Sequence, residues 1–394
     1  MTPASLARGR AVWALAVGQM LGYACLYYIF AALVLDWVEG LGWDKTTLAL
    51  GPTLAIVIAA GLAPVLGRFV DRGFGPEILW IGPLLGAGAL VWLSQVTTQS
   101  SYLLAWAIIG LAQGASLYEV CFAFLIRRLG VDARAAIVRV TLVAGFASTL
   151  AFPAGAALAH GLGWRGAVLV AAFVMGAVVA PLHWYGAREV RRLASPPVTS
   201  AAADKAGVAL ALRNRGFWLL AATFSLISLN HWMIINLLVP VFKETGASTG
   251  WAVFAASFIG PAQVGGRLLF LGQDSTLSSS TATKMTIGMS VLATLVLWLA
   301  GAAPLLIFAF AILQGAAGGI MTILRPVLIA QVLGQAGYGA IAGLIQIPAL
   351  LAGALGPVLG AVMLGGPGLF ALLGLSLLLC LAAVLTVSAL PVQD

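Results

Sequence analysis

Long unbroken runs of apolar residues, separated by short polar joints, recur from one end of the chain to the other. About 20 apolar residues are needed for a helix to cross the hydrocarbon core of a bilayer. Twelve runs of that order can be marked, near 11–35, 47–69, 78–97, 101–125, 136–159, 166–185, 216–240, 251–271, 284–302, 304–330, 340–363 and 367–390. None alternates apolar and polar positions residue by residue, as a membrane β-barrel strand does. The pattern predicts an all-α polytopic membrane protein with twelve transmembrane helices and little chain left for soluble domains. The one long polar stretch, 186–215, holds Ser195-Pro196-Pro197, Ser200 and several charges and reads as a linker. It separates an N-terminal six-helix bundle, 1–185, from a C-terminal one, 216–394.

The halves echo one another. Gly42-Trp43 corresponds to Gly250-Trp251, Gly67-Arg68 to Gly266-Arg267, Gln113-Gly114 to Gln314-Gly315 and Pro153 to Pro357. Four pairs in the same order predict two pseudo-symmetric bundles, the repeat construction that transporters use to build alternating access around a central site.

Composition narrows the class. Of 394 residues, 62% are hydrophobic and 8% charged, against roughly a quarter charged in a soluble domain, which excludes an ordinary water-facing surface. The net charge of +8 does not indicate nucleic-acid binding, because the basic residues sit in short clusters between apolar runs and not along one stripe. With the N-terminus cytoplasmic, Arg8, Arg10, Arg68, Arg72, Arg127, Arg128, Arg134, Arg188, Arg191, Arg192, Lys205, Arg213, Arg215 and Lys284 fall inside. Only Lys45, Arg165 and Lys243 fall outside. This positive-inside bias places both termini in the cytoplasm. The first run follows Arg8 and Arg10 without a small-residue cleavage pattern, so it reads as a span and not a leader. Cys25, Cys121 and Cys380 all lie in apolar runs, and His160, His183 and His231 are far apart; no disulfide framework, metal site or cofactor is expected. Two soluble-enzyme patterns are coincidental. Gly246-Ala247-Ser248-Thr249-Gly250 matches a nucleophile elbow but joins two membrane helices with no His after it. Gly161-Leu162-Gly163-Trp164-Arg165-Gly166 matches a dinucleotide fingerprint with no strand before it. No Walker motif is present, and no enzymatic activity is expected.

The joint between the second and third runs reads Gly67-Arg68-Phe69-Val70-Asp71-Arg72-Gly73-Phe74-Gly75. It resembles the Gly-x-x-x-Asp-Arg-x-Gly signature of the major facilitator superfamily. The second glycine is displaced by one position, and Pro76 and Glu77 replace the usual closing basic pair. The resemblance implies two six-helix bundles, a monomer, and a cytoplasmic latch to which Gly67, Asp71 and Arg72 contribute. Within the superfamily, Gly42-Trp43-Asp44-Lys45-Thr46-Thr47 with Gly61-Leu62-Ala63-Pro64 looks like the monocarboxylate and oxalate/formate porter branch. That branch carries an intramembrane Arg in the eighth span, for which Arg267 is the candidate, with Gln263 where its companion acid would stand.

Ionisable residues inside spans point to chemistry, since each costs roughly 2.5–3.5 kcal/mol at the bilayer centre. Of twelve acids, Glu119 alone lies well within a run; it sits about 12 Å along the fourth helix from Arg127. Arg325 lies at similar depth in the tenth. The resemblance places both spans beside a central cavity, where the two are expected to face each other, Glu119 taking a coupling proton and Arg325 a substrate carboxylate through its fork. The competing reading is a static ion pair that fixes packing. Glu119→Gln is expected to abolish proton-coupled uphill uptake and spare exchange. Gln314, Gly318, Thr322 and Arg325 share a helix face. Arg267 lies about a turn from its span's end, so it either reaches the site or snorkels; Arg139 reads as snorkelling. Gln19, Tyr23 and Tyr27 recur every four residues in the first run, and Asn230, His231 and Asn236 cluster in the seventh. These polar sets line a cavity or merely hold helices together. The expected function is proton-coupled transport of a small organic anion such as a monocarboxylate, in a bacterial inner membrane. The alternatives are an exporter of neutral or aromatic compounds and, from another class, a membrane receptor that binds without moving solute.

Overall fold

The computed structural model describes residues 3–193, 201–271 and 278–390. Ten helical segments among them are long and apolar enough to cross a membrane. Two of these, Thr47–Leu93 and Ala133–Leu193, run to 47 and 61 residues. At 1.5 Å per residue each is more than twice as long as the roughly 30 Å hydrocarbon core. Each is broken at a glycine in the left-handed region, Gly73 (φ 97°) and Gly163 (φ 69°), and so supplies two crossings, giving twelve.

Numbered along the chain, span 1 comprises Pro3–Gly22, a wider π-type turn Tyr23–Tyr27, and Ile29–Leu41. Span 2 is Lys45–Phe69, span 3 Gly75–Leu93, and span 4 Gln99–Ser116 followed by Tyr118–Leu129. Spans 5 and 6 lie on either side of Gly163. Span 7 is Arg215–Ile235, span 8 Thr249–Ser257 with Ile259–Leu271, and span 9 Ser279–Trp298. Spans 10, 11 and 12 are Leu306–Leu333, Tyr338–Gly365 and Leu369–Ser388. Several starts carry side-chain caps that satisfy first-turn amides: Asp44 accepts from Thr47 N at 2.9 Å, Thr98 from Ser101 N at 3.3 Å and Ser278 from Thr281 N at 3.2 Å.

The chain divides into two compact units, Met1–Val208 with Gln335–Gly343, and Ala209–Gly334 with Leu344–Asp394. In the first, Trp37 is fully buried and meets Tyr102, Trp106 and Trp164 edge to face at 6.2–6.4 Å. This ring cluster offers the offset geometry aromatic pairs prefer. In the second, Phe242 and Phe310 are buried at 5.8 Å from one another amid Met233, Leu297 and Leu372. The described part of the expected linker is helical. Span 6 continues to Leu193, and Ala201–Arg213 is a helix across which the unit boundary falls. Ser195-Pro196-Pro197 and Ser200 lie outside the described residues. The first residues of span 11 also belong to the first unit, although the rest of that helix belongs to the second.

Candidate functional site

In the first unit two helices lose their regularity at the same place. Span 1 widens at Tyr23–Tyr27, and span 4 breaks at Leu117, whose backbone is extended (φ −89°, ψ −162°). In an apolar environment, carbonyls freed by such irregularities need partners. Each helix supplies one to the other: Gln113 Nε2 of span 4 donates to Leu26 O of span 1 at 2.8 Å, and Gln19 Nε2 of span 1 donates to Ser116 O of span 4 at 2.6 Å. Gln19 is fully buried and also meets His183 Nε2 at 3.4 Å; His183 Nδ1 in turn lies 2.9 Å from Leu79 O. Gln19 therefore sits among packed helices, where its amide holds the break in span 4.

The two irregular segments carry Tyr23, Tyr27, Tyr118 and Glu119. The rings of Tyr23 and Tyr118 are 4.6 Å apart, Tyr118 stacks on Phe122 at 4.7 Å and 18°, and Tyr23 meets Tyr27 edge to face at 6.0 Å. Glu119, in the first turn after the break, lies close enough to Tyr23 to act on it electrostatically. Every residue from Val120 to Arg127 is buried, whereas Glu119 is exposed. The helix N-terminus favours its negative charge. The acid singled out in the sequence thus stands open to its surroundings at a helix break, beside a wall of rings.

The second unit gathers a separate set. Arg325 of span 10 is half-buried with its guanidinium over the Phe224 ring of span 7 at 5.1 Å, a cation–π contact that fixes the guanidinium plane. One and a half to two turns earlier on span 10, a methyl placed on Gly318 would meet His231 Cε1 of span 7 at 3.7 Å and Gln263 Nε2 of span 8 at 4.0 Å. Gly318 therefore leaves space between an imidazole and an amide. Thr322 donates to Gly319 O at 2.7 Å, and Arg267 Nε donates to the same carbonyl at 3.4 Å. Arg267 is 4% exposed; it is held between spans 8 and 10 and does not snorkel. Arg139 is exposed. Gln314 is buried, Asn230 is buried with its amide on Cys380 Sγ at 3.3 Å, and Asn236 turns back to Trp232 O.

The turn between spans 2 and 3 forms a third constellation, wholly within the first unit. Asp71, 4% exposed, accepts from Gly339 N and Ala340 N at the start of span 11, both at 3.0 Å. Gly67 and Gly339 are packed backbone to backbone, so neither position has room for a side chain. Arg72 points elsewhere, exposed, with its guanidinium 5.9 Å from the Phe69 ring. The cation beside Asp71 is instead Arg127, at 3.8 Å. Arg127 makes a two-pronged pair with Asp204 at 3.0 and 2.8 Å, and Asp204 also accepts from Gly337 N at 2.9 Å. Burial pushes the Asp71 carboxyl up to about 6, against the opposing pull of the Gly339 and Ala340 amides and of Arg127. Sequence reasoning counted Arg127 only as a topology marker and set Asp204 in a loose linker. The sequence Ala201-Ala202-Ala203-Asp204-Lys205 pairs the acid with an adjacent lysine, so nothing in it separates Asp204 from an ordinary solvated charge.

Comparison with known proteins places the architecture. The family model described as Major Facilitator Superfamily matches residues 15–281. No curated protein sequence matches the chain. Among solved structures, a major facilitator superfamily transporter, FucP, in the outward conformation aligns with TM-score 0.74 at 13% identity, covering 95% of this chain and 97% of that one. A variant of the E. coli fucose:proton symporter FucP aligns at 0.72 and 14%, again with 95% and 97% coverage. The human organic anion transporter MFSD10 (TETRAN) aligns at 0.69 and 14%, covering 97% of this chain and all of that one. At such identities the structures speak for the fold alone, while the family model spans well over half the chain. With twelve crossings, this makes the chain a member of the major facilitator superfamily, a multi-pass secondary transporter of small solutes and not an enzyme.

Proposed function

We propose that the solute is a small organic anion, with monocarboxylates as the leading class, and that its movement is coupled to protons through Glu119. The observation that carries this reading is the exposure of Glu119 at the break in span 4, in a segment whose following eight residues are all buried. An acid inside a span is costly unless it meets water or a partner. Ionised Glu119 repels a carboxylate solute, whereas the protonated acid does not. By reciprocity of binding, proton and anion then favour one another's presence, which couples anion flux to the proton gradient. Arg325 supplies the opposite charge, its plane fixed on Phe224, with His231, Gln263 and Thr322 on the neighbouring face. One protein of this fold transports organic anions and another is a fucose:proton symporter, which lends support to both halves of the proposal.

The proposal extends to the turn between spans 2 and 3. Asp71, Arg127 and Asp204 hold the first residues of span 11 in the first unit, while the rest of that helix belongs to the second. Release of this hold lets the start of span 11 move with its own helix, as alternating access requires. The positive-inside count puts this turn and both termini in the cytoplasm, and the protein works as a monomer in a bacterial inner membrane.

Flux through reconstituted vesicles tests the coupling. A pH gradient should drive uphill accumulation of a monocarboxylate by the wild type. Glu119→Gln should leave carboxylate exchange intact and abolish uphill accumulation, and Arg325→Ala should lose carboxylate binding. Uphill accumulation that survives Glu119→Gln removes that residue from the coupling role.

A further inference from the structure

Beside the turn that joins spans 2 and 3, the first unit carries an open groove. A hollow of about 370 Å³ lies between spans 2, 3 and 4, lined by Leu66, Phe69, Phe74, Ile81 and Leu85 with Glu77 as its charged residue. Phe69, Phe74, Ile81 and Leu85 are all exposed, so the hollow is open along its side and not sealed within the bundle. Phe69 and Phe74 carry its wall around the turn, their rings edge to face at 6.3 Å. Gly82 and Ala115 also line it, where spans 3 and 4 touch; a methyl added to Gly82 would stand 3.0 Å from the Ala115 side chain. Two larger residues there would fill the space. An apolar groove on the side of a membrane helix bundle accepts a lipid chain, and the charges at its end decide which lipid.

Those charges are mostly positive. Arg72 is exposed, with its guanidinium 5.9 Å from the Phe69 ring that lines the groove. Glu77 holds the exposed Arg191 of span 6 at 2.6 Å. Arg128, at the end of span 4, lies within electrostatic range of both Arg191 and Glu77. Three cations therefore stand around one acid, whereas the neighbouring Arg127 is already matched by Asp204 and Asp71. On span 6, Trp184 and Tyr185 are exposed, with the Arg188 guanidinium 5.0 Å from the Trp184 ring. Such residues mark the water interface of a membrane helix, and Arg191 lies about two turns beyond Trp184, on the headgroup side. Basic pockets between transmembrane helices bind the head groups of anionic lipids. We propose that this groove is a binding site for one anionic phospholipid, an acyl chain lying along Phe69, Phe74, Ile81 and Leu85 and the phosphodiester held by Arg72, Arg128 and Arg191. Neither the solute nor the coupling acid enters this argument, so it stands or falls separately from the transport reading above.

Lipid titration of the purified full-length protein in detergent, followed by its thermal midpoint, tests the site. The probes are dioleoyl phosphatidylglycerol, phosphatidylcholine and phosphatidylethanolamine, which share their chains and differ in headgroup, together with inorganic phosphate. One basic residue near an anionic lipid surface corresponds to roughly fivefold in affinity. With two cations in excess, phosphatidylglycerol is expected to half-saturate at about 25-fold lower concentration than either of the other two lipids, and phosphate should be silent. Arg72→Gln and Arg128→Gln should each weaken phosphatidylglycerol about fivefold and leave phosphatidylcholine unchanged. Ile81→Trp fills the groove and should weaken all three lipids alike; Leu85→Trp provides the same readout should Ile81→Trp fail to fold. Equal affinity for the three lipids overturns the proposal, as does tighter binding of phosphatidylethanolamine than of phosphatidylglycerol. A phosphatidylglycerol preference undiminished in both glutamine variants, or an affinity untouched by filling the groove, places the lipid elsewhere and overturns the site. Stabilisation by phosphate alone makes the cluster a plain anion site and overturns the lipid assignment.

Discussion

Removal of the Asp204 carboxylate is the most informative single perturbation of the turn between spans 2 and 3. Asp204→Ala deletes two hydrogen bonds from Arg127, at 3.0 and 2.8 Å, and one from Gly337 N, at 2.9 Å. Arg127 is 8% exposed, so water cannot readily replace the lost acceptor. Breaking a buried pair by deleting one partner costs about 3–5 kcal/mol, mostly the penalty of stranding the other charge. Asp71 remains 3.8 Å from Arg127 and takes up part of that charge, which puts the expected cost at the lower end, ~3 kcal/mol. At about 1.4 kcal/mol per decade, the start of span 11 should open about a hundredfold more often. Hydrogen exchange followed by mass spectrometry reads this directly, because the amides donated to Asp204 and Asp71 are those of Gly337, Gly339 and Ala340. Peptides covering 335–343 should exchange about a hundredfold faster in Asp204→Ala, with peptides from the Trp37 core unchanged. Asp204→Asn retains an acceptor for Gly337 N and should fall between the two. Arg127→Met combined with Asp204→Leu removes both charges and should recover most of the protection, since apolar replacement of a whole buried pair is often neutral. Exchange that is unaltered in Asp204→Ala, or a double variant as exposed as the sum of the singles, would refute the reasoning.

Other outcomes follow from the same geometry. Asp71, held at about 6 by burial, returns to its ordinary value near 3.9 once its turn lets go of span 11. The docked form thus binds the proton more tightly, and its advantage is fullest below the ordinary value and lost as pH rises through about 6. Lowering the pH from 7.5 to 5.5 should raise the docked-to-undocked ratio about fourfold, seen as slower exchange of 335–343 after correction for intrinsic rates and absent in Asp71→Asn. Gly67→Ala drives a methyl into the Gly339 backbone and should expose the same peptides, whereas Gly61→Ala, with nothing within 4 Å of its added carbon, should be silent. Gln113→Leu leaves Leu26 O without its partner and should cost roughly 1–3 kcal/mol, measured as reduced thermal stability.

Run lengths and polar joints suffice to read the architecture because a bilayer tolerates few alternatives to a continuous apolar helix. Twelve crossings and the division into two similar bundles were legible on that ground. What hydrophobicity does not encode is local backbone irregularity. Tyr23 and Tyr27 at an interval of four look the same whether their helix is regular or widened, and nothing in Ser116-Leu117-Tyr118 marks Leu117 as extended. Gln19 was grouped with the tyrosines because a regular helix would put it on their face; it is fully buried, and its amide holds span 4. Arg72 entered through the motif resemblance, in which it adjoins Asp71 in sequence, yet a helical turn sends neighbouring side chains in different directions. Asp71 faces span 11, Arg72 faces outward, and the nearby cation comes from another helix.

The exchange of amides between spans 1 and 4 bears on why the glutamines stand where they do. A wide turn or a break within a membrane helix frees carbonyls that neither lipid nor an apolar neighbour can satisfy, and either one alone would be costly. Paired, each helix is repaired by a side chain that the other can spare: Gln113 lies one turn before the break that Gln19 supports, and Gln19 lies one turn before the widening that Gln113 supports. The two defects therefore stabilise each other, and neither helix gains by becoming regular on its own. Gln314 occupies the equivalent position of the second unit and is buried in the same way, but span 10 runs unbroken from Leu306 to Leu333. The repeat preserved the residue and not the irregularity. On that account the rings and the open acid are confined to the first unit, while the second, with its regular span 10, offers a fixed guanidinium.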